Sequence, residues 1–120
     1  MTRHRERGQA TVEFALLLPL VVMAALAVVQ VALIVRDHVG TVHAAREAAR
    51  AASVDPDPAR ATRAARHVLA GARVRVGPRP EVGEQISVEV SYVSKTNLPL
   101  VGALFPDPRL RATVVMRVER

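Results

Sequence analysis

Residues 14–35 read FALLLPLVVMAALAVVQVALIV, 22 residues with no charge and one strongly polar side chain, Gln30. A helix rises about 1.5 Å per residue and the hydrocarbon core of a bilayer is roughly 30 Å thick, so about 20 apolar residues can cross it. A helix apolar on every side needs covering, and the remainder of a 120-residue chain is too small to wrap one. The stretch therefore reads as a membrane span. Three forms fit it. One is a cleaved secretory signal, with a basic start at Arg3, Arg5 and Arg7 and an A-x-A site at Ala25-Leu26-Ala27, although the apolar run continues past that site. The second is an uncleaved signal anchor. The third is a prepilin-type segment, which turns on the residues just before the run. The three arginines favour a cytoplasmic N-terminus, and Arg36, Arg46 and Arg50 on the far side weaken that bias.

Residues 7–15 read Arg-Gly-Gln-Ala-Thr-Val-Glu-Phe-Ala. Gly8 ends the basic leader, and Glu13 stands five residues beyond it at the edge of the apolar run. Glycine opens its backbone to a protease without an obstructing Cβ. A carboxylate at a membrane edge is costly to sink without a partner. Taken singly, Gly8 is a structure breaker and Glu13 a complement to the helix N-terminus. Together they resemble the processing site of type IV prepilins, whose membrane-embedded peptidases cut after glycine and leave glutamate at the fifth mature position. That resemblance implies cleavage between Gly8 and Gln9, and pairing of Glu13 with the new α-amino group on a neighbouring subunit, with Glu13 and Phe14 setting register.

GQATVEFALLLPLVV at residues 8–22, with Pro19 inside the run, and HAAREAARAAS at residues 43–53 resemble the TadE-like family, minor pseudopilins of tight-adherence (Flp-type) pilus systems. Ala48 stands where that family commonly has glycine, and Gln30 where it often has glutamate. The resemblance is specific over residues 7–52 and general in layout beyond. It implies a role in pilus assembly or secretion. The implied partners are a prepilin peptidase, a major Flp-type pilin, a companion minor pseudopilin and an inner-membrane platform driven by a cytoplasmic ATPase.

Past the span, Val35, His38, Val42, Ala45, Ala49 and Ala52 recur every three or four residues, so the helix is expected to run from about Gln9 to Ser53, roughly 65 Å. Pro19 is expected to kink it. The alanine face suits either a close helix partner or the chain's own domain. Asp55-Pro56-Asp57-Pro58 breaks the helix and starts a second one, with Asp57 as cap and Pro58 at the first helical position. Its apolar stripe is Ala61, Ala64, Ala65, Val68, Leu69 and Ala72, with Gly71 near its end. Arg60, Arg63 and Arg66 face away, either as a solvated row or toward anionic headgroups or an acidic partner.

The period then becomes two. Arg73–Val76, then Ile86, Val88, Val90 and Tyr92, then Leu110, Ala112, Val114, Met116 and Val118 mark three amphipathic strands. They predict an antiparallel sheet with one face on the second helix. The layout is α+β: leader 1–8, membrane and projecting helix 9–53, and a small extracytoplasmic domain 54–120. Residues 96–106 form a long apolar loop that either covers an open end of the sheet or offers Leu100 and Phe105 to a partner or the bilayer surface.

No catalytic, cofactor-binding or metal-ligating set emerges. His4, His38, His43 and His67 are scattered, and His38 and His43 are five apart, off the spacing that places two ligands on one helical face. The chain has no cysteine, which excludes disulfides and thiolate chemistry. The net charge of +6 admits polyanions, yet aromatic residues are only 2%, too few for the stacking platforms that hold single strands. No specific nucleic acid is expected. The reading is a structural component of the cytoplasmic membrane, single-pass, with its N-terminus inside and its domain outside. The alternative is an uncleaved anchor presenting a basic module to anionic envelope polymers or DNA.

Overall fold

The computed structural model describes residues 3–119, with side chains from Gly8 onward. Met1, Thr2, Arg120 and the side chains of residues 3–7, Arg3, His4, Arg5 and Arg7 among them, lie outside the described residues. The elements run α1 (Arg3–Val54), α2 (Pro58–Val68), β1 (Arg73–Val76), β2 (Gln85–Val93) and β3 (Arg109–Arg117). This is the α+β architecture that the hydropathy pattern predicts. Helix α1 starts earlier than the expected Gln9 and continues through Pro19. The chain forms two compact units, Met1–Leu33 with Thr96–Pro106, and Ile34–Lys95 with Asp107–Arg120.

In the second of these units the three strands lie in the order β1-β2-β3, antiparallel throughout. The inward residues of β2 are Ile86, Val88 and Val90, all essentially without exposure. Against them lies an alanine layer: Ala44, Ala45, Ala48, Ala49 and Ala52 of α1, and Ala61 and Ala65 of α2. Alanine lets helix and sheet backbones approach closely, and it gives a core of many small contacts. The alanine face of α1 is thus covered by the chain's own domain. It is centred later than the sequence pattern placed it: Val35 and His38 are exposed, because they precede the core, which begins at Ala44. Of the two partners that the sequence offered this face, the structure shows the chain's own domain.

The end of α1 leaves carbonyl groups without helical partners, and other segments reach them. Arg79 Nη1 donates to the Ala52 carbonyl, and the Glu119 amide donates to that of Ser53 at 2.9 Å. The turn that follows is built as its residues suggest. Asp55 Oδ1 accepts from the Asp57 amide at 2.8 Å, and Asp57 Oδ1 caps α2 by accepting from the Ala59 amide at 2.9 Å. Helix α2 stops at Val68, which the sequence placed on the apolar stripe but which is 43% exposed. Gly71 then takes a left-handed φ of 84°, the backbone state that glycine adopts without a Cβ penalty, and turns the chain into β1.

Two outcomes follow for the full-length chain in detergent micelles, read by thermal or denaturant unfolding. Ala48→Leu forces three extra carbons between α1 and the sheet and is expected to destabilise by about 1–3 kcal/mol. Asp57→Ala removes the α2 cap, with an expected loss of about 0.5–2 kcal/mol. Wild-type stability in either variant refutes the corresponding packing or capping role.

Candidate processing and assembly site

Gly8, Gln9, Glu13 and Phe14 all lie on α1 and all are exposed. A Cβ built on Gly8 meets nothing within 4 Å, so the fold itself places no demand for glycine there. Gln9 Nε2 donates to Glu13 Oε1 at 3.3 Å, one helical turn apart. A carboxylate can accept several hydrogen bonds, so one neutral amide leaves most of that capacity facing outward. The structure brings Gln9 and Glu13 together. It leaves Phe14, at 67% exposure, without cover.

Among the described residues, one helical stretch, Gly8–Val54, is long and apolar enough to cross a membrane, and only 6% of its most apolar window is buried. A core helix of a water-soluble protein would be mostly covered. Here Leu16, Leu17, Leu20, Val28 and Val31 are each more than half exposed. That is an apolar surface suited to lipid. Among the described residues this is the one candidate span, as in a single-pass membrane protein.

Gln30 breaks this pattern. It is only 4% exposed, its Nε2 donates to Thr96 Oγ1 at 3.2 Å, and its Oε1 is buried with no partner among the described residues. Thr96 opens the apolar loop, which belongs to the same compact unit as the first 33 residues. The loop is closed by its own backbone. The Gly102 amide donates to the Leu98 carbonyl at 3.0 Å, and those of Leu104 and Phe105 to the Val101 carbonyl at 3.0 and 3.2 Å. A Cβ at Gly102 would lie 2.9 Å from the Thr96 carbonyl oxygen, so the turn closes only around glycine. Leu100 is held at a φ of 68°, costly for a branched side chain. Val101 is buried, whereas Leu100, Leu104 and Phe105 are 66%, 66% and 53% exposed. The sequence offered this loop two roles, and the structure leaves Leu100 and Phe105 exposed.

Two features escape a linear reading. The first is Asp37, just past the apolar run, whose Oδ2 accepts from the buried Ser94 hydroxyl at 2.6 Å and ties α1 to the end of β2. The second is the open face of the sheet. Arg73 of β1 and Arg111 of β3 flank Ser91 in one row, Arg109 faces Val93, and Arg75 faces Glu89. With Lys95 these arginines line a concavity of about 600 Å³. Strand alternation puts each arginine outward, but only the register shows that they converge. The arginine row of α2 is otherwise occupied: Arg60 pairs with Asp55 at 3.1 Å, Arg63 with Asp57 at 3.8 Å, and Arg66 Nε donates to the Ala72 carbonyl at 3.3 Å.

Comparison with known proteins gives one finding. A family model described as TadE-like protein matches residues 8–50. No curated protein and no solved structure matches the chain. The match opens on Gly8, takes in Glu13 and the whole apolar run, and ends within the alanine face. Over residues 8–50, the part that carries the membrane helix, the chain is thus similar to the TadE-like family.

Proposed function

We propose that the chain is a minor pseudopilin of a tight-adherence pilus or related secretion apparatus. In this reading a prepilin peptidase cuts between Gly8 and Gln9. Residues 14–35 then hold the protein in the cytoplasmic membrane, N-terminus inside and α+β unit outside. It is a substrate and a structural part, not an enzyme, and it works beside a major pilin, a companion minor pseudopilin and the inner-membrane platform. The observation that carries the reading is the coincidence at one place of three things: the start of the family match at Gly8, an exposed Glu13 at the fifth position counted from Gln9, and an uncovered apolar helix beyond. An acid at that membrane edge needs a counter-charge. The amine released at Gln9 of an adjacent subunit supplies one, replacing the weak amide contact made in the uncut chain.

Gly8 lies within α1, so a protease must first open the helix there. Glycine lowers that cost, by about 1 kcal/mol relative to alanine. Intact-mass analysis of the native membrane protein is expected to show loss of residues 1–8. Gly8→Trp is expected to abolish that loss while leaving membrane insertion and unfolding unchanged, since nothing crowds the position. A full-length wild-type protein in cells with active peptidase, or normal processing of Gly8→Trp, refutes the site.

The basic sheet face favours a second reading, an uncleaved anchor that offers this surface to anionic envelope polymers or DNA. Under it, replacing Arg73, Arg75, Arg109 and Arg111 by serine together weakens polyanion binding, and wild-type affinity falls steeply with salt, with a log–log slope of about −0.7 to −0.9 per phosphate neutralised for nucleic acid. A retained leader with such binding supports this reading. A processed chain with salt-independent or absent binding removes it.

A further inference from the structure

We propose that the loop of residues 96–106 is a membrane-docking element, with Leu100, Leu104 and Phe105 seated in the bilayer beside the Val35 end of the span. The proposal rests on residues 14–35 being the membrane span. Within that run Gln30 lies five residues before Val35, about 7.5 Å along a helix. The Gln30–Thr96 hydrogen bond therefore holds the start of the loop at the depth of the acyl chains and not in bulk water. The loop carries no charge between Thr96 and Pro106.

Irregular backbone survives at that depth only where its polar groups are satisfied. This loop meets part of the demand by itself. The amides of Val101, Gly102, Leu104 and Phe105 all find carbonyl acceptors inside it, and Pro99 and Pro106 have no amide hydrogen to satisfy. The side chains divide accordingly: Val101 turns inward, Leu98 is half-buried, and Leu100, Leu104 and Phe105 point out. Leucine and phenylalanine are side chains that amphipathic segments bury at the headgroup–acyl boundary. Lipid is the occupant that the anchoring position selects. A protein partner would have to displace it at the same depth.

The chain has no cysteine, so single labels report one place each. The full-length protein carrying Leu104→Cys or Phe105→Cys, each with a polarity-sensitive fluorophore, is reconstituted in liposomes of phosphatidylcholine and phosphatidylglycerol. Part of the phosphatidylcholine bears a nitroxide high on its acyl chain. Val28→Cys marks the span, and Val82→Cys marks an exposed position of the α+β unit. The loop labels are expected to lose most of their emission, as the Val28 label does, while the Val82 label keeps its own. Adding Gly102→Val, which breaks the turn at Thr96, is expected to restore loop emission without changing the Val28 or Val82 signals. Quenching at Val28 with none at Leu104 or Phe105 overturns the docking proposal alone. Absent quenching at Val28 overturns the span reading with it. Loop labels shielded from both the nitroxide and an aqueous quencher mark a protein-covered surface and also refute lipid docking.

Discussion

One constraint organises this molecule: a helix satisfies its own backbone hydrogen bonds, so the same rod serves in lipid and in a protein core if its side chains change. In α1 they change midway. From Phe14 to Val29 the residues are apolar and mostly uncovered; from Ala44 to Ala52 the inward ones are alanines sealed in the core. Between these segments stand the polar fixtures. Gln30 is held by Thr96, and Asp37 is held by Ser94, each joining α1 to residues from the end of β2 or just beyond it. The sheet then needs little else, because Ile86, Val88 and Val90 fill the layer that alanine leaves open.

The N-terminal motif stands apart from this packing. Gly8, Gln9, Glu13 and Phe14 contribute nothing to the core, and no crowding explains the glycine. Under the proposed function these residues, at the start of a family match, answer to what acts on them from outside. The α+β unit shows the reverse pattern. Its alanines are explained by packing, and its outward arginines are not.

Much of this was legible in the sequence, for physical reasons. Alternation of period two marks strands because successive side chains point to opposite faces. Asp57-Pro58 marks a helix start because a carboxylate caps amides and proline lacks one. The span needed only length and the absence of charge. Other features were hidden. The helical stripe could be drawn through Val35 and His38 as well as through Ala44 and Ala48, and only the position of the sheet selects between them. The convergence of Arg73, Arg75, Arg109 and Arg111 depends on strand register, which no single strand encodes. The Gln30–Thr96 bond joins positions 66 residues apart, with no local pattern to announce it. The loop, for which the sequence offered either a cover for the sheet or an outward contact, shares its compact unit with the N-terminal residues.

The alanine layer constrains how this chain can diverge. On the lipid-facing half of α1, valine, leucine, isoleucine and methionine exchange at little cost, because a fluid solvent adapts to any of their shapes. On the buried half the side chains are already nearly as small as they can be, so change has one direction open to it, toward glycine, and that direction loosens the helix. Sequence drift in relatives with the same packing should therefore be broad before Val35 and narrow from Ala44 to Ala52. The two halves of one helix would then record different histories.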